Sequence, residues 1–98
     1  MKKLKLSHEE AEIIGIQALT FIASDPAQLE RFAINTGVSA ESLRQRAGTS
    51  EILLACLGEL LRNEPDLLMF CANSNIPPES IQIAEAVLVG TIRDAECS

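Results

Sequence analysis

The chain has 98 residues, 47% of them apolar, and a formal net charge of −6. That length fits one domain with a core of its own, held without a metal or disulfide staple. Lys2, Lys3 and Lys5 crowd at the start, so the rest of the chain sets five arginines against fourteen carboxylates, a balance that repels phosphate backbones and anionic membranes.

Residues 1–6 read as a frayed basic tail, 7–95 as a single helical domain and 96–98 as a short tail. MKKLKL resembles the charged start of a signal peptide, but Ser7-His8-Glu9-Glu10 interrupts it before any adequate apolar stretch. Ser7 with Glu10 three places on has the capping-box spacing, which predicts a first helix from His8 to about Ser24. Ala11, Ile14, Gly15, Ala18, Leu19, Phe21 and Ile22 gather on one face, and Glu10, Gln17 and Thr20 on the other. Ile13 points into the polar side, as a stray exposed residue or as part of a contact surface.

Asp25-Pro26 ends this helix and starts a second. Proline disfavours helical geometry in the residue before it and suits the first helical position, while Asp suits the cap. The second helix runs to about Thr36, with Leu29, Phe32 and Ala33 inward and Gly37 as a left-handed stop. Val38-Ser39 caps a short third helix, Ala40 to Ala47, anchored by Leu43 and closed by Gly48.

The central element is the next helix, Glu51 to Asn63. Ile52, Leu53, Leu54, Cys56, Leu57, Leu60 and Leu61 cover roughly 200° of its girth at about 100° per residue. Other helices must therefore cover it from several sides. Its run from Ile52 to Leu57 is the longest apolar one, far short of the roughly 20 residues of a membrane span. Asn63-Glu64-Pro65 repeats the acid-proline break. A fifth helix follows, about Pro65 to Asn73, with Leu67, Leu68, Phe70 and Cys71. Ser74-Asn75 stops it, since Asn tolerates the left-handed conformation. The last helix runs from Pro78 to about Asp94, lined by Ile81, Ala84, Val87, Leu88 and Ile92. The expected fold is all-α, a compact bundle of five or six short helices.

The halves of the chain resemble each other. DPAQLERFAINTGVSAESL from Asp25 parallels EPDLLMFCANSNIPPESI from Glu64. Phe32 matches Phe70, Gly37 matches Asn75, Val38 matches Ile76, and Glu41-Ser42-Leu43 matches Glu79-Ser80-Ile81. Upstream, Phe21-Ile22 aligns with Leu60-Leu61. A period near 38 residues lies in the range of helical repeats. The expectation is two pseudo-repeated three-helix halves burying their apolar sides together about a pseudo-twofold axis. Helix caps alone also make such sequences look alike.

No catalytic set stands out, and the chain is expected not to be an enzyme. The single histidine, His8, sits in a helix's first turn, too alone for metal ligation or a Ser-His-Asp arrangement. No Gly-rich phosphate loop occurs, and no metal or cofactor is expected. Cys56, Cys71 and Cys97 lack short spacing and read as structural or incidental thiols in a reducing cytoplasm. The segment 29–46 offers an alternative, a helix-turn-helix. Ala33, Gly37, Val38, Ser39 and Leu43 occupy the places where two helices must cross closely, leaving Ser42, Arg44, Gln45 and Arg46 for a groove. The acidity opposes it, because phosphate neutralisation supplies most non-specific affinity, and Glu41 and Glu51 flank the arginines. The favoured class is an interaction module, binding a protein partner or itself as a homodimer, since Ile13, the broad central helix and Val87, Val89 and Ile92 exceed what a narrow buried stripe needs.

A-x-x-x-G-I-Q-A-L-T-F-I-A-S-D-P from Ala11 to Pro26, R-F-A-I-N-T-G-V-S-A-E-S-L-R from Arg31 to Arg44, and N-E-P-D-L-L-M-F-C-A from Asn63 to Ala72 carry a resemblance. From about residue 7 to 88 the chain resembles a family of small helical bacterial proteins, found mainly in alpha-proteobacteria and known as domain of unknown function 3572. Its members show a similar A-L-x-F-L-A-x-D-P, R-F-L-x-x-T-G and D-E-P-x-L-L-x-F. Asn63 stands where Asp is commoner. The resemblance implies an all-helical cytosolic protein with no established activity, and no site residue carries over.

Overall fold

A computed structural model describes residues 6–97, with the side chains of Ala40 and 93–97 excepted. Residues 1–5 of the expected tail and Ser98 lie outside the described residues. Six helices follow in order: α1 His8–Ala23, α2 Pro26–Thr36, α3 Ala40–Arg46, α4 Ser50–Arg62, α5 Glu64–Ser74 and α6 Pro78–Cys97. No strand occurs among the described residues.

Local chemistry sets most of these boundaries. The Glu10 amide donates to Ser7 Oγ at 3.1 Å and the Ser7 amide to Glu10 Oε1 at 2.9 Å, a reciprocal box that satisfies two orphan donors. The Asp25 carboxylate accepts from the Ala27 amide at 3.0 Å, with Pro26 opening α2. Ser39 and Thr49 cap α3 and α4 in the same way. Gly37 at φ 75° and Asn75 at φ 62° end α2 and α5 in the left-handed region. The second break differs from the first, because Asn63 makes no side-chain cap bond to α5. Its proline alone enforces the turn.

Helices α1, α4 and α6 pack on one another as the centre of the molecule. Helix α2 lies against α1 and α4, and α5 against α4, α1 and α6. The central helix is thus covered from four sides, as its apolar girth requires. Ile52, Leu53, Cys56, Leu57 and Leu60 are buried in α4, facing Ala11, Ala18 and Ile22 of α1 and Ile81, Ala84 and Leu88 of α6 within one core. At Gly15 the α1 backbone comes so near α4 that an added Cβ would sit 2.8 Å from Leu53 Cβ.

Three details depart from the sequence pattern. Leu6, assigned to the tail, packs partly buried against the core. Leu68, assigned to the apolar face of α5, is exposed. Helix α6 continues to Cys97, past the expected stop at Asp94. Burial also pairs positions 38 apart: Ile14 with Ile52, Ala18 with Cys56, Ile22 with Leu60, Phe32 with Phe70, and Leu43 with Ile81. Phe21 and Leu61 are only half-buried, so burial matches Ile22 to Leu60, one place off the expected alignment. Helix α3 has seven residues and α6 twenty, so the lengths of these two do not match.

Candidate functional site

Among the described residues, two surface clefts and one polar seam have functional potential. The first cleft is an open groove of about 290 Å³ between α1 and α5. Its floor is an edge-to-face pair, Phe21 on Phe70, with ring centroids 5.4 Å apart and planes at 65°. Ile16, Gln17, Thr20, Ser24, Asn73 and Ser74 form the walls, so every lining side chain is uncharged. The hydroxyls are already committed. Thr20 donates to the Ile16 carbonyl at 2.9 Å, Ser24 to Phe21 at 2.8 Å and Ser74 to Phe70 at 2.6 Å. Each is held along its own helix and none meets a base, so the cleft offers apolar contact with a neutral polar rim. Ile13 lies one turn before Ile16 on the same face of α1. The two are 51% and 47% exposed. Ile13 stood out in the sequence by pointing into the polar side of α1, whereas Ile16 did not, and the meeting of Phe21 with Phe70 depends on how α5 docks.

The helix-turn-helix-like segment folds as its caps require: α2, the left-handed Gly37, the Ser39 cap, then α3. Of its four candidate residues, Ser42 is half-buried while Arg44, Gln45 and Arg46 are exposed. Arg46 Nη2 is drawn to Glu51 Oε2 at 3.4 Å, which turns that guanidinium toward the start of α4. Ser42, Gln45 and Arg46 share one face of α3 by their spacing, and Arg44 lies off it. Under the same segment lies the second cleft, about 260 Å³, lined by Leu19, Ala23, Leu29, Leu43, Arg44 and Ala47. It was not legible in the sequence, because its walls come from three helices.

The seam joins α2 to α5. Gln28 is buried, and its Nε2 donates to Asp66 Oδ1 at 3.3 Å, while Arg31 Nη2 contacts Asp66 Oδ2 at 3.2 Å. Gln28 Oε1 is buried without a hydrogen-bond partner. The burial of a glutamine here was not anticipated, although Gln28 lies one turn before Phe32 on the same face of α2.

His8 is exposed, with Nδ1 3.7 Å from Glu12. Among the described residues no cluster of three or more His, Cys, Asp or Glu could hold a metal ion. Cys56 and Cys71 are free thiols. Burial, and then the charge of Glu59, pushes the Cys56 thiol from 9.0 up to about 12. Burial, and then Glu79, also raises Cys71. Both shifts disfavour the nucleophilic thiolate. The stability from keeping Cys56 protonated is complete below about pH 9 and is lost as pH rises toward 12. Wild-type protein should therefore lose more denaturation midpoint across that window than Cys56→Ala. Equal losses would place Cys56 outside the core. The side chain of Cys97 lies outside the described residues.

No helix of the described residues is long and apolar enough to cross a membrane. No curated protein and no solved structure matches the chain. One family does match, over residues 8–91, and it takes in both clefts and the seam. With the proline breaks at Asp25-Pro26 and Glu64-Pro65 inside that match, the chain belongs to the family described as protein of unknown function DUF3572.

Proposed function

We propose that this protein works without catalysis, by binding a protein surface through the α1–α5 cleft, and that the simplest occupant is a second copy of itself. The observation that carries this is the half-exposed pair Ile13 and Ile16 beside the neutral, Phe-floored cleft. Single exposed apolar residues are ordinary, but two on one helical face next to an apolar groove make a contiguous patch. On a chain of charge −6, a second acidic copy approaches best where both faces carry no charge. A twofold dimer can use such a self-complementary patch. The committed hydroxyls of Thr20, Ser24 and Ser74 favour contact over chemistry.

Light scattering at micromolar concentration should return twice the chain mass, and Ile16→Lys should return a monomer. A strictly monomeric wild-type protein removes the self-association, and a dimer untouched by Ile16→Lys moves it to another face. The free thiols suit a reducing cytoplasm. Shared burial at a spacing of 38 residues supports two copies of one ancestral helical unit, as do the left-handed stops at Gly37 and Asn75.

Nucleic-acid binding through the 29–46 segment is the second reading, favoured by the capped turn at Gly37 and Ser39 and by the exposed Arg44. It requires retention on a DNA column at low salt that falls with Arg44→Ala and Arg46→Ala. The acidity of the chain leads us to expect no retention.

A further inference from the structure

We propose that the cleft between α1, α2 and α3 binds a small aliphatic carboxylate, with its chain among Leu19, Leu29 and Leu43 and its acid group on Arg44. This site is independent of the α1–α5 cleft and of any self-association.

The cleft joins an apolar slot to one cation. Leu19, Ala23, Leu29, Leu43 and Ala47 supply the walls. Leu19 and Leu29 are only partly buried, so a hydrocarbon chain in the slot would take their exposed surface out of water. Arg44 is the only charged residue in the lining. It also differs from the other arginines whose side chains are described. Arg31 is held by Asp66 at 3.2 Å, Arg46 by Glu51 at 3.4 Å and Arg62 by Glu59 at 3.0 Å. Among the described residues Arg44 has no such carboxylate partner, although Glu41 lies one turn before it on α3. A guanidinium left free in a chain rich in acids is the place where an incoming carboxylate finds a fork of matching donors.

Size and charge narrow the ligand. The cleft of about 260 Å³ is smaller than the roughly 300–1,000 Å³ of sites for drug-sized molecules, so a single short chain fits better than a ring system. One free arginine balances one negative charge. A phosphate dianion would need a second cation, and the other described guanidiniums are already paired.

The test is an amide-resolved NMR titration of the full chain with octanoate, octanol and octylammonium. Octanoate should shift the amides of Leu19, Ala23, Leu29 and Ala47 saturably. Octanol should bind the same place about fivefold more weakly, as expected for one partly exposed ion pair. Octylammonium should bind more weakly than octanol. Arg44→Gln should abolish the preference for octanoate over octanol without changing the helical circular dichroism, and Arg44→Lys should restore part of it. A leucyl dipeptide acid set against its amide distinguishes the two sources of such a group, a free acid or a chain terminus. Preference for that acid over the amide supports the same chemistry. The proposal is overturned if octanoate and octanol bind wild-type protein equally, if Arg44→Gln keeps the preference, or if the shifts are absent or fall at Phe21 and Phe70 instead.

Discussion

Replacing Phe32 by alanine is expected to remove about 3–5 kcal/mol of folding stability. The ring is wholly buried, and it is the largest apolar group that α2 contributes to the core. Truncation leaves a hole that surrounding helices fill only in part, so lost transfer energy and lost contact add. Domains of this size hold about 5–15 kcal/mol in all, so the variant should sit near its unfolding transition. Urea denaturation should show a lower midpoint with an unchanged slope. Phe32→Leu keeps most of the volume and should cost much less. A loss below about 1 kcal/mol for Phe32→Ala would mean that α2 does not dock as described.

The second large effect is one of sign. Glycine to alanine inside a helix ordinarily gains up to about 1 kcal/mol. At Gly58 the new Cβ would meet only Arg62 Nη1 and Glu85 Oε2, each at 3.6 Å, which is ordinary contact. Gly58→Ala should therefore stabilise by roughly that amount. At Gly15 the same methyl would lie 2.8 Å from Leu53 Cβ and 3.3 Å from its Cγ. A Cβ is fixed to the backbone and cannot swing aside, so α1 and α4 must separate. Gly15→Ala should lose about 1–3 kcal/mol, the usual range for overpacking. Thermal melts of the two variants decide the matter. Shifts of the same sign would refute the close approach of these two helices.

The fold was largely legible because its punctuation is local. Ser7 with Glu10, Asp25 with Pro26, Gly37 and Asn75 act within four residues of themselves, so their chemistry reads directly from order and spacing. The buried faces of α1, α4 and α6 were legible for the same reason, since helical periodicity sorts their side chains before any packing occurs. The clefts were not. Whether Phe21 meets Phe70, whether Leu29 and Leu43 leave a gap, and whether Arg46 finds Glu51 depend on the angles at which helices cross. Gln28 and Leu68 mark the same limit. A glutamine is buried because Asp66 of α5 reaches its amide, and a leucine is left outside because α5 presents its other side. Among the helix-turn-helix candidates, the pairing of Arg46 with Glu51 across the following turn was likewise outside what spacing shows.

The central trio joins helices from opposite ends of the chain. Helix α1 begins at His8, and α6 begins only at Pro78. A nascent chain emerging from the ribosome therefore holds α1 and α4 with one shared flank uncovered until α6 has been made. Until α6 is made, the buried side chains of α1 and α4 lack the helix that completes their core. The core closes only once α6 is present, so a product truncated before Pro78 would be a substrate for proteolysis rather than a shortened working protein.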